Sequence, residues 1–244
     1  METQELNELT VGELVAKDFR KAEVFKKFGI DFCCGGKKSI EQTCKDKGVN
    51  VEKLHQELLK LDTTKLSPSQ NFDNWVLDFL SDYIVNTHHK YIIQSLPLIF
   101  EFAQKVAKVH EDHNPETKEI FALFVEAMNE LNRHMMKEEQ VLFPYIKQLA
   151  QTKKSSIKST PPSFGTVTNP IRMMEHEHDV VGDIFHKIAE LSNNFTPPDY
   201  ACNTYRVLYA KLKEFEDDLH QHIHLENNIL FPKAIELEKE LMPL

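Results

Sequence analysis

The sequence predicts an all-α protein, with a small helical domain followed by a four-helix bundle. Glycine contributes only 7 of the 244 residues, and strand-like alternation of polar and apolar residues is rare. Long stretches are rich in Leu, Lys, Glu, Gln and Ala, which favour helix. Apolar residues make up 41% of the chain, which is enough for a core, and the length suits one large and one small domain.

The domain boundaries are predicted from changes in apolar periodicity. Residues 1–61 are predicted to form the small helical domain. Residues 62–71 lose the periodicity and are predicted to be a linker, and residues 72–244 are predicted to form the bundle.

Helix starts are predicted from capping patterns. Thr10 and Glu13 have the spacing of a capping box. In the bundle, Asn169 and Thr196 stand directly before prolines, so they are predicted as the N-caps of the third and fourth helices.

Charge and hydropathy exclude several classes of partner. The formal net charge of −9 argues against nucleic acid and anionic membrane surfaces. No apolar stretch is long enough to span a membrane, and the N-terminus lacks the pattern of a signal peptide. Four cysteines, two of them adjacent, do not form the framework of a secreted disulfide-rich protein. We therefore expect a cytoplasmic protein.

An internal repeat provides candidate metal ligands. Residues 134–144 match residues 222–232 at five of eleven positions, and both copies contain His-x-x-x-Glu followed by Leu-Phe-Pro. His89 lies 45 residues before the first copy, and His178 lies 44 residues before the second. Each half of the bundle therefore offers one histidine on one helix and a His–Glu pair on the next.

Helical periodicity places these residues on apolar faces. A histidine and a glutamate four residues apart share one side of a helix. In the first helix two registers compete, and the one through His89 and Ile92 is more apolar than the one through His88 and Ile84, so His88 is the reserve candidate. On the other three helices the candidates share their faces with apolar residues, among them Ile120, Phe124, Ala127, Leu131, Val141, Ile171, Met174, Val181, Leu212, Phe215 and Leu219.

Six polar groups on buried faces favour a bound cation. Buried polar groups are unfavourable unless they are paired, and one cation can satisfy several at once. Imidazole with carboxylate suits iron, manganese or zinc, and two histidines per metal with bridging glutamates fit a pair of ions. The alternatives are solvated surface residues or a buried His–Glu hydrogen-bond network.

These motifs resemble the iron-sulfur cluster repair di-iron (RIC) family, which joins an N-terminal Cys-Cys-Gly-Gly domain to a haemerythrin-like bundle. The matching segments are residues 31–36, residues 134–140, residues 175–179 and residues 222–232. The resemblance implies a non-haem pair of iron ions with carboxylate and oxo bridges. Its implied ligands are the terminal histidines His89, His134, His178 and His222 and the bridging glutamates Glu138 and Glu226.

The resemblance also implies neighbours of the metals and a function. In the family, the spacing from the first ligand to a downstream Leu-Pro, here Leu96 and Pro97, selects His89 over His88. Glu177 and Glu130 are expected near the ions, along an access path. Glu130 could equally be a solvated helix residue. The implied role is repair of iron-sulfur proteins damaged by nitrosative or oxidative stress, by iron donation or by nitric oxide reduction. The resemblance allows a homodimer.

Two other functions use the same bundle. One is a haemerythrin-type protein that binds or senses oxygen or nitric oxide, and the other is an interaction protein with a structural metal. Oxygen carriers of this type use more histidine than this chain offers.

Cys33 and Cys34 are candidates for redox exchange or iron transfer. Lys37 and Lys38 follow closely, and nearby cations favour the reactive thiolate by lowering the thiol pKa. The alternative is that the pair consists of small apolar turn residues. Among the remaining histidines, His55 is predicted at the surface or at a helix end.

Overall fold

A computed structural model describes residues 9–62, 70–155 and 162–242. All regular elements in these ranges are helical, and one isolated bridge joins Thr10 to Ser39. The predicted all-α fold class is therefore confirmed. Most of the predicted linker, residues 63–69, lies outside the described residues.

The chain divides into two compact units. Unit 1 contains Met1–Leu80, Leu149–Ser159 and Ile223–Leu244, and unit 2 contains Ser81–Gln148 and Thr160–His222. Each of these units combines segments that are distant in the sequence, whereas the predicted domains are continuous stretches of the chain. The predicted domain boundaries therefore stay a prediction.

The first helices are short, and local signals set their ends. The Glu13 amide donates to the Thr10 hydroxyl at 3.2 Å, and the Thr10 amide donates to the Glu13 carboxylate at 2.8 Å, so the predicted capping box is confirmed. A 3-10 turn, Gly35–Lys37, separates the second and third helices. The helices are α1 (Val11–Lys17), α2 (Lys21–Lys27), α3 (Ile40–Lys47) and α4 (Val51–Asp62).

Longer helical rods follow, and three of them contain a wider π-helical turn. The α-helical segments are α5 (Leu77–Ile84), α6 (Lys90–His110), α7 (Glu116–Lys137), α8 (Phe143–Ser155), α9 (Thr168–Leu191), α10 (Asn203–Leu225) and α11 (Phe231–Leu241). The π turns are Val85–His89 between α5 and α6, Glu138–Leu142 between α7 and α8, and Glu226–Leu230 between α10 and α11.

The core of unit 2 forms where α6 and α9 pack against α7 and the Phe215 ring of α10 closes the bundle. The Phe215 ring centroid lies 5.4 Å from that of Phe185 on α9 and 6.2 Å from that of Phe124 on α7. The apolar faces predicted for α7, α9 and α10 are buried, on α7 and α10 as far as the π turn that follows each helix.

Val141 departs from this pattern. It is predicted on the buried face but is 45% exposed, whereas Leu142 is 1% exposed. The reason is the π turn at Glu138–Leu142, which adds a residue to one turn and moves the buried face along by one position.

The two predicted N-caps are wrong. Helix α9 already begins at Thr168, and the Asn169 amide group donates to the Phe164 carbonyl oxygen at 2.8 Å. Helix α10 begins only at Asn203, several residues after Thr196 and its two prolines. Asn193, Asn194 and Phe195 all have positive φ and turn the chain before the prolines, which themselves lie outside any helix.

Among the described residues, no helix combines the length and the apolar character needed to cross a lipid bilayer.

Candidate metal centre

Each π turn begins or ends at a predicted ligand. His89 ends the first, Glu138 begins the second and Glu226 begins the third. Such turns widen a helix locally and occur often at functional sites, because they redirect side chains that a regular helix would place elsewhere. The two copies of the sequence repeat thus carry the same backbone irregularity at the same glutamate.

Five of the six predicted ligands meet in the interior of unit 2. The His134 Nε2 atom lies 3.0 Å from the His178 Nε2 atom and 3.3 Å from the nearer Glu138 oxygen. The His89 Nε2 atom lies 3.4 Å from the same Glu138 oxygen, and the His89 and His222 ring centroids are 5.0 Å apart. All five side chains are buried, so these atoms converge in an interior that excludes bulk water.

The five residues form two overlapping sets with Glu138 in common. One set is His89, Glu138 and His222, and the other is His134, Glu138 and His178; within each set the candidate ligand atoms lie within 4.8 Å of one another. Neutral imidazole nitrogens and a carboxylate are a donor set that cations such as iron, manganese and zinc accept. The buried histidines and glutamate could therefore hold metal.

Glu226, the sixth predicted ligand, is counted with unit 1. It lies four residues after His222 along the same helical rod, which is about one turn, and its side chain is fully buried.

Two carboxylates contact the Nδ1 atoms of two histidines whose Nε2 atoms face the cluster. The Glu139 carboxylate lies 2.7 Å from the His89 Nδ1 atom, and the Glu177 carboxylate lies 3.1 Å from the His134 Nδ1 atom. A carboxylate that accepts the Nδ1 proton leaves the Nε2 lone pair facing the cluster, which is the arrangement found around metal-binding histidines. Sequence reasoning missed Glu139, although it stands directly beside Glu138.

Glu177 also contacts the Lys137 ammonium group. Burial would raise the pKa of the Glu177 carboxyl, but the hydrogen bonds from His134 and Lys137 outweigh burial and lower the pKa to about 2. Glu177 is therefore ionised at neutral pH. Glu130, the other residue expected near the metals, forms an ion pair with Arg133 on its own helix.

His88, the reserve candidate, is buried beside the cluster but belongs to neither ligand set. Its Nδ1 atom lies 2.9 Å from the Asp218 carboxylate, and its ring is parallel to that of His222 at a centroid distance of 5.6 Å. The π turn at Val85–His89 explains how both neighbouring histidines can be buried.

The adjacent cysteines lie in unit 1, where Cys33 is buried and Cys34 is partly exposed. A hydrogen bond with Cys34, burial and the negative charge of Asp31 together raise the pKa of the Cys33 thiol. The prediction that nearby lysines lower the thiol pKa is therefore wrong for Cys33; Lys38 instead pairs with Asp46 at 2.9 Å.

Asn228, which sequence reasoning did not single out, contacts the cysteine turn within unit 1. Its amide donates to the Phe32 carbonyl oxygen at 3.1 Å and to the His224 Nδ1 atom at 3.0 Å. The His224 ring lies 5.7 Å from the rings of both Phe19 and Phe32, and burial lowers its pKa to about 3, so it is neutral. His55, predicted at the surface or at a helix end, is buried too, inside α4 in unit 1.

Comparison with known proteins places both parts of the chain. Residues 7–62 match the ScdA_N family, described as a domain of unknown function, and residues 81–234 match the hemerythrin HHE cation binding domain. Relatives named iron-sulfur cluster repair protein YtfE include those of Musicola paradisiaca (37% identity, covering 93% of this chain and 96% of the relative) and Pectobacterium atrosepticum (36% identity, with the same shares). The YtfE protein of Escherichia coli is 35% identical, covering 92% of this chain and 96% of its own length. The chain belongs to the iron-sulfur cluster repair protein family, with a cation-binding hemerythrin domain that contains the buried histidine and glutamate cluster.

Proposed function

We propose that this protein repairs iron-sulfur clusters damaged by nitrosative or oxidative stress, by holding two iron ions and donating iron to the damaged cluster. The names of its relatives support the repair role. The donor set supports iron, because imidazole and carboxylate together suit this metal.

The shared Glu138 carries the proposal. It is the one residue common to both ligand sets in unit 2, so its carboxylate would be shared by the two ions. His89 and His222 would be the terminal ligands of one ion, and His134 and His178 those of the other. Glu226 would be the second bridging carboxylate, since it follows His222 by one helical turn and occupies the place of Glu138 in the repeat.

When bound, such a pair would supply positions for nitric oxide or oxygen and iron that can be released, because four histidines and two carboxylates would not fill the coordination of two ions. The roles of the protein groups follow from their contacts: Glu139 and Glu177 orient His89 and His134. The partly exposed Glu177 carboxylate marks the side from which we expect small ligands and iron to enter and leave.

The same centre would serve a haemerythrin-type carrier or sensor, which binds oxygen or nitric oxide without losing iron. Each ligand set within unit 2 contains only two histidines, and this carboxylate-rich composition favours the repair role over reversible oxygen storage. A cytoplasmic location, a homodimer and iron transfer through Cys33 and Cys34 remain predictions of the sequence.

The test is a transfer experiment with an iron-sulfur dehydratase whose cluster has been damaged by nitric oxide. Iron-loaded protein is expected to restore the dehydratase activity while its own iron content falls. A Glu138→Ala variant treated with the same iron should restore nothing. Reversible nitric oxide binding with no loss of iron and no recovered activity would replace repair with the carrier or sensor function.

A further inference from the structure

The Cys-Cys turn places three candidate ligands together outside the bundle cluster. The two thiol sulfurs of Cys33 and Cys34 are 4.0 Å apart, and the Cys33 sulfur lies 3.1 Å from an Asp31 carboxylate oxygen. All three ligand atoms lie within 4.8 Å of one another. We propose that Asp31, Cys33 and Cys34 form a second metal site, which takes one divalent thiophilic cation.

The spacing of the two sulfurs suits one shared ion better than a disulfide. Two thiolates bound to a tetrahedral ion at about 2.3 Å are separated by about 3.8 Å, close to the observed 4.0 Å. A disulfide usually joins residues whose Cα atoms are about 4.4–6.8 Å apart, whereas adjacent Cα atoms are held at about 3.8 Å. The pair can therefore bind an ion with little movement of the turn.

The turn is held in this conformation by hydrogen bonds between its backbone and the side chains of Asp31 and Asn228. Asp31 oxygens accept the amide protons of Cys33 at 2.8 Å and Gly35 at 2.9 Å. On the other side the Asn228 amide group reaches the Cys33 carbonyl oxygen at 3.4 Å. Gly36 allows this approach, because a Cβ atom there would lie 2.8 Å from the Asn228 side-chain oxygen. A ligand set fixed before the ion arrives loses little conformational entropy on binding.

The site is closed on one side and open on the other. Cys33 is 3% exposed, Cys34 is partly exposed and Asp31 is exposed. Three protein ligands leave the fourth position of a tetrahedral ion free for water or for a ligand from another protein. Both thiols must give up their protons, so binding of one ion releases two protons to solvent.

An open three-ligand site suits the transfer of an ion more than its storage. If the proposed repair function holds, on which this identification rests, the ion is Fe²⁺ moving between the bundle and a damaged cluster. The existence of the site does not depend on that function, and the two can be tested apart.

The test adds Co²⁺ to the iron-loaded protein without oxygen. Co²⁺ resembles Fe²⁺ in its ligand preference, and it absorbs strongly when thiolates bind it. We expect one Co²⁺ per chain with sulfur-to-cobalt absorption and two protons released per ion. A Cys33→Ser/Cys34→Ser double variant should lose this absorption. Asp31→Asn, which keeps one of the two oxygens that accept the amides of the turn and loses the charge, should bind at least about tenfold more weakly.

Controls separate this site from other thiols and from the bundle. Cys202→Ser removes an exposed thiol elsewhere and should leave the absorption unchanged. Helix content and iron in the bundle should be unchanged in the double cysteine variant, and His134→Ala, which impairs the bundle centre, should still bind Co²⁺ at the turn. Absorption that survives the double variant, or Asp31→Asn binding within twofold of wild type, would overturn the second site and leave the proposed function of the bundle intact.

Discussion

The most informative substitution outside the ligand sets is Glu139→Gln. Glutamine keeps the size of the side chain and can still accept the proton of His89 Nδ1, but it lacks the charge that makes the imidazole a better metal ligand. The contact is direct, at 2.7 Å. We therefore expect iron to bind more weakly while the fold stays intact.

The size of the effect follows from the geometry. Loss of an outer partner of a metal-binding histidine typically weakens metal binding by about 10- to 100-fold, which is about 1.4–2.7 kcal/mol. The Glu139 side chain is 39% exposed, and solvent screens its charge, so we expect about tenfold. Glu177→Gln should have the larger effect, between about ten- and hundredfold, because Glu177 is only 17% exposed.

The assay is anaerobic competition for Fe²⁺ between the protein and a chelator of known affinity. Glu126→Gln serves as the matched control, since it removes the same charge from an exposed position on α7 and should change the affinity less than twofold. A Glu139→Gln affinity as close to wild type as that of the control would show that the outer carboxylate does not tune the centre.

Three further predictions concern stability in unit 1. Asn228→Ala leaves buried acceptors, among them His224 Nδ1, without their donor, and should lower the free energy of unfolding by about 1–3 kcal/mol, measured by urea denaturation. Gly12→Ala would place a Cβ atom 2.2 Å from the Asn228 oxygen. We expect this clash to lower the free energy of unfolding by about 1–3 kcal/mol. The effect of Gly12→Ala should be smaller when it is made in the Asn228→Ala variant, which lacks that oxygen. Burial raises the pKa of Asp18, but hydrogen bonds from Arg20 outweigh burial and lower the pKa overall. The ionised Asp18 carboxylate therefore stabilises the folded protein at pH values above its unfolded pKa of about 3.9. This contribution to the free energy of unfolding is lost as pH falls through the lower pKa of the folded state. Unfolding measured at decreasing pH should therefore show a smaller decline for Asp18→Asn than for wild type, and equal declines would contradict the role of Asp18.

The fold class followed from composition and helical periodicity, because the buried faces of the bundle helices repeat as a regular helix requires. The predicted ligands on α7 and α9 share those faces with apolar residues such as Phe124 and Phe185, and both faces are buried. The repeat then distinguished the ligand candidates from other polar residues, since chance seldom duplicates a His-x-x-x-Glu with the same flanking residues.

The π turns are what regular periodicity could not predict. A regular period of 3.6 residues places Val141 on the buried face and allows only one of His88 and His89 to lie on it. The wider π turns instead expose Val141 in one rod and bury both histidines in another. Glu139 was missed for a similar reason, because its partner His89 lies on a different helix and no pattern along one helix reports such a contact.

Contacts in which distant parts of the chain bury a side chain also leave no periodic signal in the sequence. His224 lies two residues from His222, so helical periodicity places it on another face of the helix, and nothing in the sequence reports that the rings of Phe19 and Phe32 lie against it in unit 1. The lysines beside Cys33 suggested a reactive thiolate, but a hydrogen bond with Cys34, burial and the nearby Asp31 carboxylate all raise the pKa of the Cys33 thiol. Both outcomes depend on which surfaces pack together.

The most direct test of the central claim is the iron content of Glu138→Ala beside that of wild type and of the control Glu126→Ala. If Glu138 bridges two ions, wild type and control should hold close to two irons per chain with magnetic coupling between them, and Glu138→Ala should lose both ions and the coupling together. A Glu138→Ala protein that keeps one tightly bound iron, or a wild type that binds a single ion or only zinc, would contradict a shared two-iron centre.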